Sequence, residues 1–196
     1  MNKQRKDYIA NLYQTYHNAD IEQPDRLNRW CSIEPESAEF LAFLVLAKQA
    51  KKLLEIGTSG GYSSLWLADA AEQTSGHLIT LEIEKERRQT ALKHLTTTRL
   101  SDVATALCTD AGTFLQNSQD SYDFIFLDAE RPAYPVYWTY LKTCLQAPGS
   151  VLVVDNVLSH AEQVQDFIAL INADNDFEQT VLPIGAGLLL VVKNNR

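Results

Sequence analysis

From Lys52 to the end of the chain, short apolar runs alternate with segments whose apolar residues recur at helical spacing. Five runs have the length and composition of buried strands: 52–56, 77–82, 103–108, 123–127 and 150–154. The segments between them, among them 62–71 and 85–95, predict helices. Strands joined through helices pair in parallel by right-handed crossovers. The pattern therefore predicts an α/β fold with a doubly wound, mostly parallel sheet.

The last two predicted strands, 177–182 and 188–192, break this alternation. Only Pro183–Gly187 separates them, and a connection this short can join antiparallel strands but not parallel ones. Five parallel strands and this C-terminal antiparallel hairpin make a seven-stranded Rossmann-like sheet. A dinucleotide-binding fold would instead end in another helix-linked parallel strand.

The residues before the first strand predict mainly helix. Apolar side chains in 8–16 have helical spacing, the polar stretch 18–28 is a loop or a second short helix, and 36–49 is a long helix with Pro35 in its first turn. We expect residues 1–196 to form one domain, with residues 1–33 as an N-terminal helical extension.

Charge and composition restrict the partners and the location. The formal net charge of −8 argues against nucleic acid and anionic membranes. No apolar run reaches the ~20 residues that span a bilayer, and the N-terminus lacks the apolar core of a secretory signal. The three cysteines, Cys31, Cys108 and Cys144, lack zinc or redox spacing and are expected to be buried free thiols. These features favour a cytoplasmic protein.

A glycine-rich turn, Gly57-Thr58-Ser59-Gly60-Gly61, lies between the first predicted strand and the next helix. A ligand at such a position meets backbone N–H groups and a helix N-terminus. Gly57 and Gly61 would let the backbone turn tightly and approach the ligand. The turn is not a P-loop, because no Gly-Lys-Ser/Thr follows. A glycine cluster is often only a turn, but its place directly after the first strand favours cofactor binding.

Acids follow the next two strands. Glu82 ends the second predicted strand, where an acid can accept both ribose hydroxyls of a nucleotide cofactor. Glu84 is a weaker candidate for this role, and an exposed surface acid is the alternative. Asp110, after the third strand, would lie near the adenine, although by itself it is equally suited to capping a helix.

Three more polar residues end the fourth and fifth strands: Asp128, Asp155 and Asn156. The carboxyl ends of adjacent parallel strands converge on one crevice. Two carboxylates and an amide oxygen form an all-oxygen set that suits Mg²⁺, Mn²⁺ or Ca²⁺ and disfavours zinc. The alternative is that these side chains cap helices or bind loop backbone.

Together these motifs resemble the cation-dependent O-methyltransferases, the class I S-adenosylmethionine-dependent family of catechol and caffeoyl-coenzyme A O-methyltransferases. The resemblance runs from about Glu34 to Lys193 and rests on Glu39-Phe40-Leu41, EIGTSGGYSS, LEIE, FLDAERPAY, VVDNVL and LPIGAGLLLVVK. It implies S-adenosylmethionine as methyl donor, a divalent cation (Mg²⁺ or Mn²⁺) and a small-molecule hydroxyl as acceptor.

The family's functional positions map onto this chain residue by residue. The implied cofactor contacts are Glu55, Gly57, Thr58, Ser63, Glu82 and Ala111. The motif positions add Gly61, Asp110 and Asp128 to the expected cofactor site. The implied cation ligands are Asp128, Asp155 and Asn156.

One position departs from the family pattern. The family usually has Asp-Ala-Asp-Lys after the fourth strand, with the lysine close to the reacting hydroxyl, whereas this chain has Asp128-Ala129-Glu130-Arg131. Arginine stays protonated and cannot be a general base, so Arg131 would hold an anionic substrate group or stabilise an oxyanion. His160 is the candidate base, with a surface histidine at a helix start as the alternative. A bound cation would itself acidify a hydroxyl and make a base unnecessary.

Two other functions stay open at this point. One is an S-adenosylmethionine-binding protein that is non-catalytic or metal-independent, and the other is a nicotinamide-dependent oxidoreductase, which has a similar glycine turn and ribose acid. The terminal hairpin and Asp155-Asn156 argue against the oxidoreductase. We also predict a homodimer, because four aromatic residues of the N-terminal segment have no obvious place on a sheet already covered by helices: Tyr8, Tyr13, Tyr16 and Trp30. The alternative is that these rings pack on their own domain.

Overall fold

The computed structural model describes residues 1–195 and confirms the predicted alternation of strands and helices. The helices are α1 (Lys3–Glu22), α2 (Pro35–Lys48), α3 (Tyr62–Thr74), α4 (Lys85–Thr97), α5 (Ala111–Asn117), α6 (Tyr134–Cys144) and α7 (Ala161–Asn172). The strands are β1 (Lys52–Ile56), β2 (His77–Glu82), β3 (Ala104–Cys108), β4 (Phe124–Leu127), β5 (Val151–Val154), β6 (Phe177–Leu182) and β7 (Leu188–Lys193). Short 3₁₀ helices lie at Arg26–Asn28 and Arg131–Ala133.

The seven strands form one sheet in the order β3-β2-β1-β4-β5-β7-β6. Strands β1 to β5 pair in parallel. Strand β7 runs antiparallel to both β5 and β6, as the short connection between the last two strands predicts. The order of connection reverses between β1 and β4, and such a switch point opens a crevice at the carboxyl ends of the strands.

Each face of the sheet carries its own hydrophobic core. Helices α1 to α4 cover one face, where Leu53, Phe124 and Phe126 point. Helices α5 to α7 cover the other face, where Leu54 and Ile125 point. Neighbouring residues of one strand face opposite sides of the sheet, so a strand covered on both faces is apolar throughout. This explains the continuous apolar runs of the sequence.

The N-terminal helix packs on its own domain. Ile9, Leu12 and Tyr16 of α1 are buried in the core that α3 also lines. The ring of Tyr16 stacks on Trp30 with centroids 4.5 Å apart, and Tyr13 lies 5.3 Å from Tyr62. The aromatic residues that suggested a homodimer therefore have partners within the chain. The homodimer stays a prediction and loses this support.

Among residues 1–195, no helix combines the length and apolar character needed to cross a membrane. The prediction of buried thiols is wrong for two of the cysteines. Cys31 lies in the connection that leads to α2, and Cys108 ends the edge strand β3; both are exposed. Only Cys144, in α6, is buried.

Candidate active site

A cavity of about 940 Å³ opens at the carboxyl ends of β1, β2, β4 and β5. One wall is formed by the segment 26–34, and the floor by the glycine turn and the residues that follow the strands. Most of the predicted site residues line it: Gly57, Thr58, Ser63, Glu82, Asp110, Ala111, Asp128, Arg131, Asp155, Asn156 and His160. The fold thus brings the predicted cofactor, cation and base positions to one cavity.

The glycine turn joins the ends of β1 and β4. Gly57 has a φ of +104°, and a Cβ atom at this position would lie 1.9 Å from the carbonyl oxygen of Asp128. The backbone N–H groups of Gly57 and Thr58 both donate to the carbonyl of Leu81, each at 3.1 Å. Those two N–H groups are therefore not free to meet a ligand, contrary to the expectation for this turn. What Gly57 supplies is the close approach of two strands at the switch point.

Glu82 lies at the cavity with its carboxylate fixed by backbone. Its Oε2 accepts from the N–H of Ser59 at 2.7 Å, and its Oε1 accepts from the N–H of Glu84 at 2.9 Å. A carboxylate offers about four acceptor positions, so two remain for a ligand. The Glu82 carboxylate could therefore accept hydrogen bonds from two neighbouring hydroxyls of a ligand, one on each oxygen.

Glu55 and Gly61 do not line the cavity. Glu55 is fully buried, and its carboxylate accepts hydrogen bonds from the hydroxyls of Ser63, Ser64 and Thr80. Burial raises the pKa of Glu55 to about 7, against the lowering effect of these three hydroxyls. Glu55 therefore supports the cavity wall from behind, through Ser63, and the structure does not place it against the cofactor as expected.

Gly61 is turned toward α4 instead of the cavity. A Cβ atom on it would lie 2.8 Å from the Cβ of Ala91, and its φ is +87°. The residue therefore allows α3 to start close to α4, which is a packing role and not the predicted ligand contact.

Asp110 both caps a helix and lines the cavity, the two roles that its position in the sequence left open. It caps α5, because its carboxylate accepts from the backbone N–H of Thr113 at 2.7 Å, and this bond lowers its pKa. The same residue and Ala111 line the cavity. The cap fixes the start of α5 at the cavity edge.

The two aspartates after β4 and β5 meet at the cavity. Asn156 bridges them: its side-chain amide donates to Asp155 at 2.9 Å and to Asp128 at 3.3 Å. Burial and the negative charge of Asp128 raise the pKa of Asp155, and burial followed by the charge of Glu55 raises that of Asp128. The Oδ1 atom of Asp155 is buried and lacks a hydrogen-bond partner within residues 1–195.

Within the described part of the chain, residues 1–195, the acidic pair has no third acidic ligand. Among residues 1–195, no three His, Cys, Asp or Glu side chains gather closely enough to hold a metal ion. The available oxygen set is therefore two carboxylates and the amide of Asn156, as the sequence predicts. Asn156 adopts a left-handed backbone conformation, with a φ of +66°, which asparagine tolerates better than most residues.

His160 and Arg131 lie on the same side of the cavity. His160 is the N-cap residue of α7, and its Nδ1 lies 2.9 Å from the hydroxyl of Ser159. Burial, and then the positive charges of Arg131 and Arg26, lower the pKa of His160. A neutral imidazole at neutral pH follows, which is the form that can accept a proton.

The wall formed by segment 26–34 is the part of the site that the sequence did not reveal. The hydroxyl of Ser59 donates to the carbonyl of Trp30 at 2.7 Å. Arg87 of α4 donates to the carbonyls of Leu27 and Arg29 at 2.6 and 2.9 Å, and its guanidinium lies 5.8 Å from the Trp30 ring centroid. These contacts join residues about 30 to 60 positions apart. Only the aromatic character of Trp30 could have drawn attention to the segment.

The fold and this site define a class of protein. A doubly wound sheet that ends in an antiparallel hairpin, with a glycine turn after β1 and an acid at the end of β2, is the architecture of class I S-adenosylmethionine-dependent methyltransferases. A family profile described as O-methyltransferase matches residues 21–194. The chain belongs to this O-methyltransferase family.

Individual relatives agree with this assignment. A catechol O-methyltransferase from Niastella koreensis is 29% identical over 167 residues, which cover 77% of this chain and 75% of that protein. The O-methyltransferase of tomaymycin synthesis from Streptomyces achromogenes, solved in complex with S-adenosylmethionine, is 26% identical with a TM-score of 0.79 and covers 100% of this chain and 92% of that one. An O-methyltransferase from Bacillus cereus, solved with S-adenosylhomocysteine, is 26% identical with a TM-score of 0.77 over 99% and 92% of the two chains. The protein is an S-adenosylmethionine-dependent O-methyltransferase, and the oxidoreductase alternative falls away.

Proposed function

We propose that the enzyme methylates one hydroxyl of a small aromatic diol, with a divalent cation held by Asp128, Asp155 and Asn156. The observation that carries the proposal is the buried, unpartnered Oδ1 of Asp155 beside a second carboxylate, in the same cavity as the glycine turn and Glu82. Relatives named for catechol and caffeoyl-CoA support this acceptor class.

The residues present fit a divalent cation. Asp155 is buried and Asp128 half-buried; as neighbouring anions the two carboxylates repel each other, and a cation would relieve that repulsion. The amide of Asn156 already contacts both carboxylates through its nitrogen, and rotation of the amide would present its oxygen instead. Carboxylate and amide oxygens are the ligands that Mg²⁺ and Mn²⁺ prefer. When bound, the cation would acidify and orient the acceptor hydroxyl.

The methyl transfer itself requires positioning and one proton acceptor. The acceptor oxygen forms a bond to the methyl carbon while the S–CH₃ bond breaks. The electron pair of the broken bond goes to sulfur, which gives S-adenosylhomocysteine. The hydroxyl proton goes to the neutral imidazole of His160. The aromatic rings of Tyr62 and Tyr137, which line the cavity, provide surface for a planar acceptor. Alignment of donor and acceptor is the main demand on the protein.

Turnover on catechol, with and without a chelator, tests the proposal. The wild-type enzyme should lose activity with the chelator and regain it with Mg²⁺ or Mn²⁺. Asp155→Ala should bind S-adenosylhomocysteine normally but should not be rescued by the cation. His160→Gln should retain cation-dependent behaviour and lose about 100-fold in kcat, the usual contribution of a general base.

His77→Gln is the matched control, because His77 begins β2 at the opposite end of the sheet from the cavity and is exposed. It should leave turnover unchanged. If activity is full in the presence of the chelator and falls only in His160→Gln, the proposed role of the cation is wrong and the enzyme is a metal-independent methyltransferase. Cofactor binding without turnover on any phenol or diol would support the non-catalytic alternative.

A further inference from the structure

Arg131 is a buried cation that forms no ion pair within residues 1–195. Its side chain lines the cavity, yet the residue is only 5% exposed. Its Nε donates to Oε1 of Gln163 at 2.7 Å. Within residues 1–195 this is the only hydrogen bond of the guanidinium, and Arg131 takes part in no salt bridge there. The two terminal nitrogens have no hydrogen-bond partner within residues 1–195 and are not fully buried, so they open to the cavity, where an anionic ligand can pair with them.

The protein's own acids do not fill this role. Burial raises the pKa of Asp128 and of Asp155, and the positive charge of Arg131 acts to lower it, but neither carboxylate forms an ion pair with Arg131. Both carboxylates instead accept hydrogen bonds from the amide of Asn156. Arg26, at the same side of the cavity, differs from Arg131: its side chain is 55% exposed and lies 3.8 Å from Glu130. Among residues 1–195, Arg131 is the only lysine or arginine that is buried.

The argument for an anionic acceptor is local to Arg131. The cavity lining as a whole contains more acids than bases, among them Glu34, Glu82 and Asp110, so the total charge of the site does not by itself call for an anion. Within residues 1–195, however, no carboxylate lies at ion-pair distance from the Arg131 guanidinium. An anionic group on the acceptor would supply this partner.

The fixed guanidinium also selects the shape of that group. Since Gln163 occupies Nε, the two terminal nitrogens form an end-on pair, which matches the two oxygens of a carboxylate. We infer that Arg131 makes the enzyme select aromatic diols that carry a carboxylate, by holding that carboxylate with its two terminal nitrogens. This inference rests on the proposed function and specifies its acceptor.

The test compares 3,4-dihydroxybenzoate with its neutral analogue 3,4-dihydroxybenzamide. The wild-type enzyme should prefer the carboxylate by about 10- to 100-fold in kcat/KM, the range of a charge-assisted hydrogen-bonded pair. Arg131→Gln should abolish this preference by lowering kcat/KM for the carboxylate only. Arg131→Lys should keep part of it, because lysine retains the charge but not the fork.

Binding of the two probes to the S-adenosylhomocysteine complex, measured by calorimetry, provides a readout that does not need turnover. It should show the same preference in the wild type and its loss in Arg131→Gln. Lys142→Gln removes an equal charge from α6, where Lys142 pairs with Asp174 away from the cavity, and should change neither measurement. Normal S-adenosylhomocysteine affinity in each variant establishes that the site is folded. If Arg131→Gln does not fold, the same comparison of the two probes is made with Arg131→Lys.

Two results would overturn the inference. One is equal binding and turnover of both probes by the wild type. The other is an equal loss for both probes in Arg131→Gln, which would place Arg131 at the reacting hydroxyl. Failure of the proposed function is distinct from these: neither probe would be methylated, while the binding comparison would still report on Arg131.

Discussion

The carboxylate of Glu82 accepts a hydrogen bond at 2.7 Å from the backbone N–H of Ser59, and so ties the end of β2 to the glycine turn after β1. The same carboxylate faces the cavity, and we expect it to bind the ribose of the cofactor there. A substitution that removes the whole side chain would disturb the turn as well as the ligand contact. Glu82→Gln keeps the shape and an acceptor for the Ser59 N–H, but its NH₂ group then faces the N–H of Glu84, so stability is measured together with binding.

Glu82→Gln should weaken S-adenosylhomocysteine binding by about tenfold, because the amide retains one acceptor for Ser59 but loses the charge and a second acceptor. Calorimetry measures the change, and thermal unfolding checks the fold. Glu84→Gln is the matched control, since Glu84 also lines the cavity and carries the same charge. A larger loss in Glu84→Gln than in Glu82→Gln would transfer the ribose contact to Glu84.

Gly57→Ala should destabilise the protein by more than about 3 kcal/mol, since the added Cβ meets a backbone carbonyl and the φ is unfavourable for alanine. Cofactor binding should be lost with it, because β1 and β4 can no longer approach. Gly112→Ala in α5 is the control: its Cβ would have contacts of 3.3 and 3.4 Å, and alanine favours helix. Urea unfolding of both variants decides the matter, and equal stabilities would contradict the role given to Gly57.

Glu55 should make stability depend on pH. Its folded pKa of about 7 lies above its ordinary value of 4.5, so the folded state holds the proton more tightly. The contribution to stability is full below pH 4.5 and is lost as the pH rises to about 7, by about 3 kcal/mol at most. Glu55→Gln cannot titrate and should lack this component.

Urea unfolding at pH 5 and pH 8 measures the difference. The wild type should lose more stability than Glu55→Gln between the two values. Glu39→Gln serves as the control, because the side chain of Glu39 is 66% exposed and should leave the pH dependence unchanged. Identical pH dependence in Glu55→Gln and the wild type would show that Glu55 titrates normally.

The ion pair between Arg5 and Asp69 attaches α1 to α3. Their nearest atoms, Arg5 Nη1 and Asp69 Oδ1, are 2.9 Å apart, and the Asp69 side chain is 4% exposed. Arg5→Met would leave Asp69 without this buried partner and should lower the free energy of unfolding by about 2 kcal/mol or more. Lys6→Met removes the neighbouring charge, which lies 4.0 Å from exposed Glu39, and should cost less than about 0.5 kcal/mol. Similar losses in the two variants would show that the pair does not anchor α1.

Much of the site could be predicted because a parallel sheet gathers the ends of its strands. Gly57, Glu82, Asp128 and Asp155 each end or directly follow an apolar run, and the topology alone then brings them to one edge. The strand bounds were likewise readable, since a strand covered on both faces is apolar throughout. Family-specific motifs added the identity of the methyl donor.

The tertiary structure alone decided what each side chain faces. Glu55 in β1 and Glu82 in β2 are each the single acid of an otherwise apolar strand, but only Glu82 reaches the cavity. Glu55 is enclosed by the hydroxyls of Ser63, Ser64 and Thr80. The wall formed by segment 26–34 depends on Arg87 and Ser59, which are distant along the chain. Residue order and periodicity report local burial, whereas contacts between distant segments depend on how helices pack across the finished sheet. The sequence therefore determined the sheet and the positions of its strand-end residues, and packing determined which of them line the cavity.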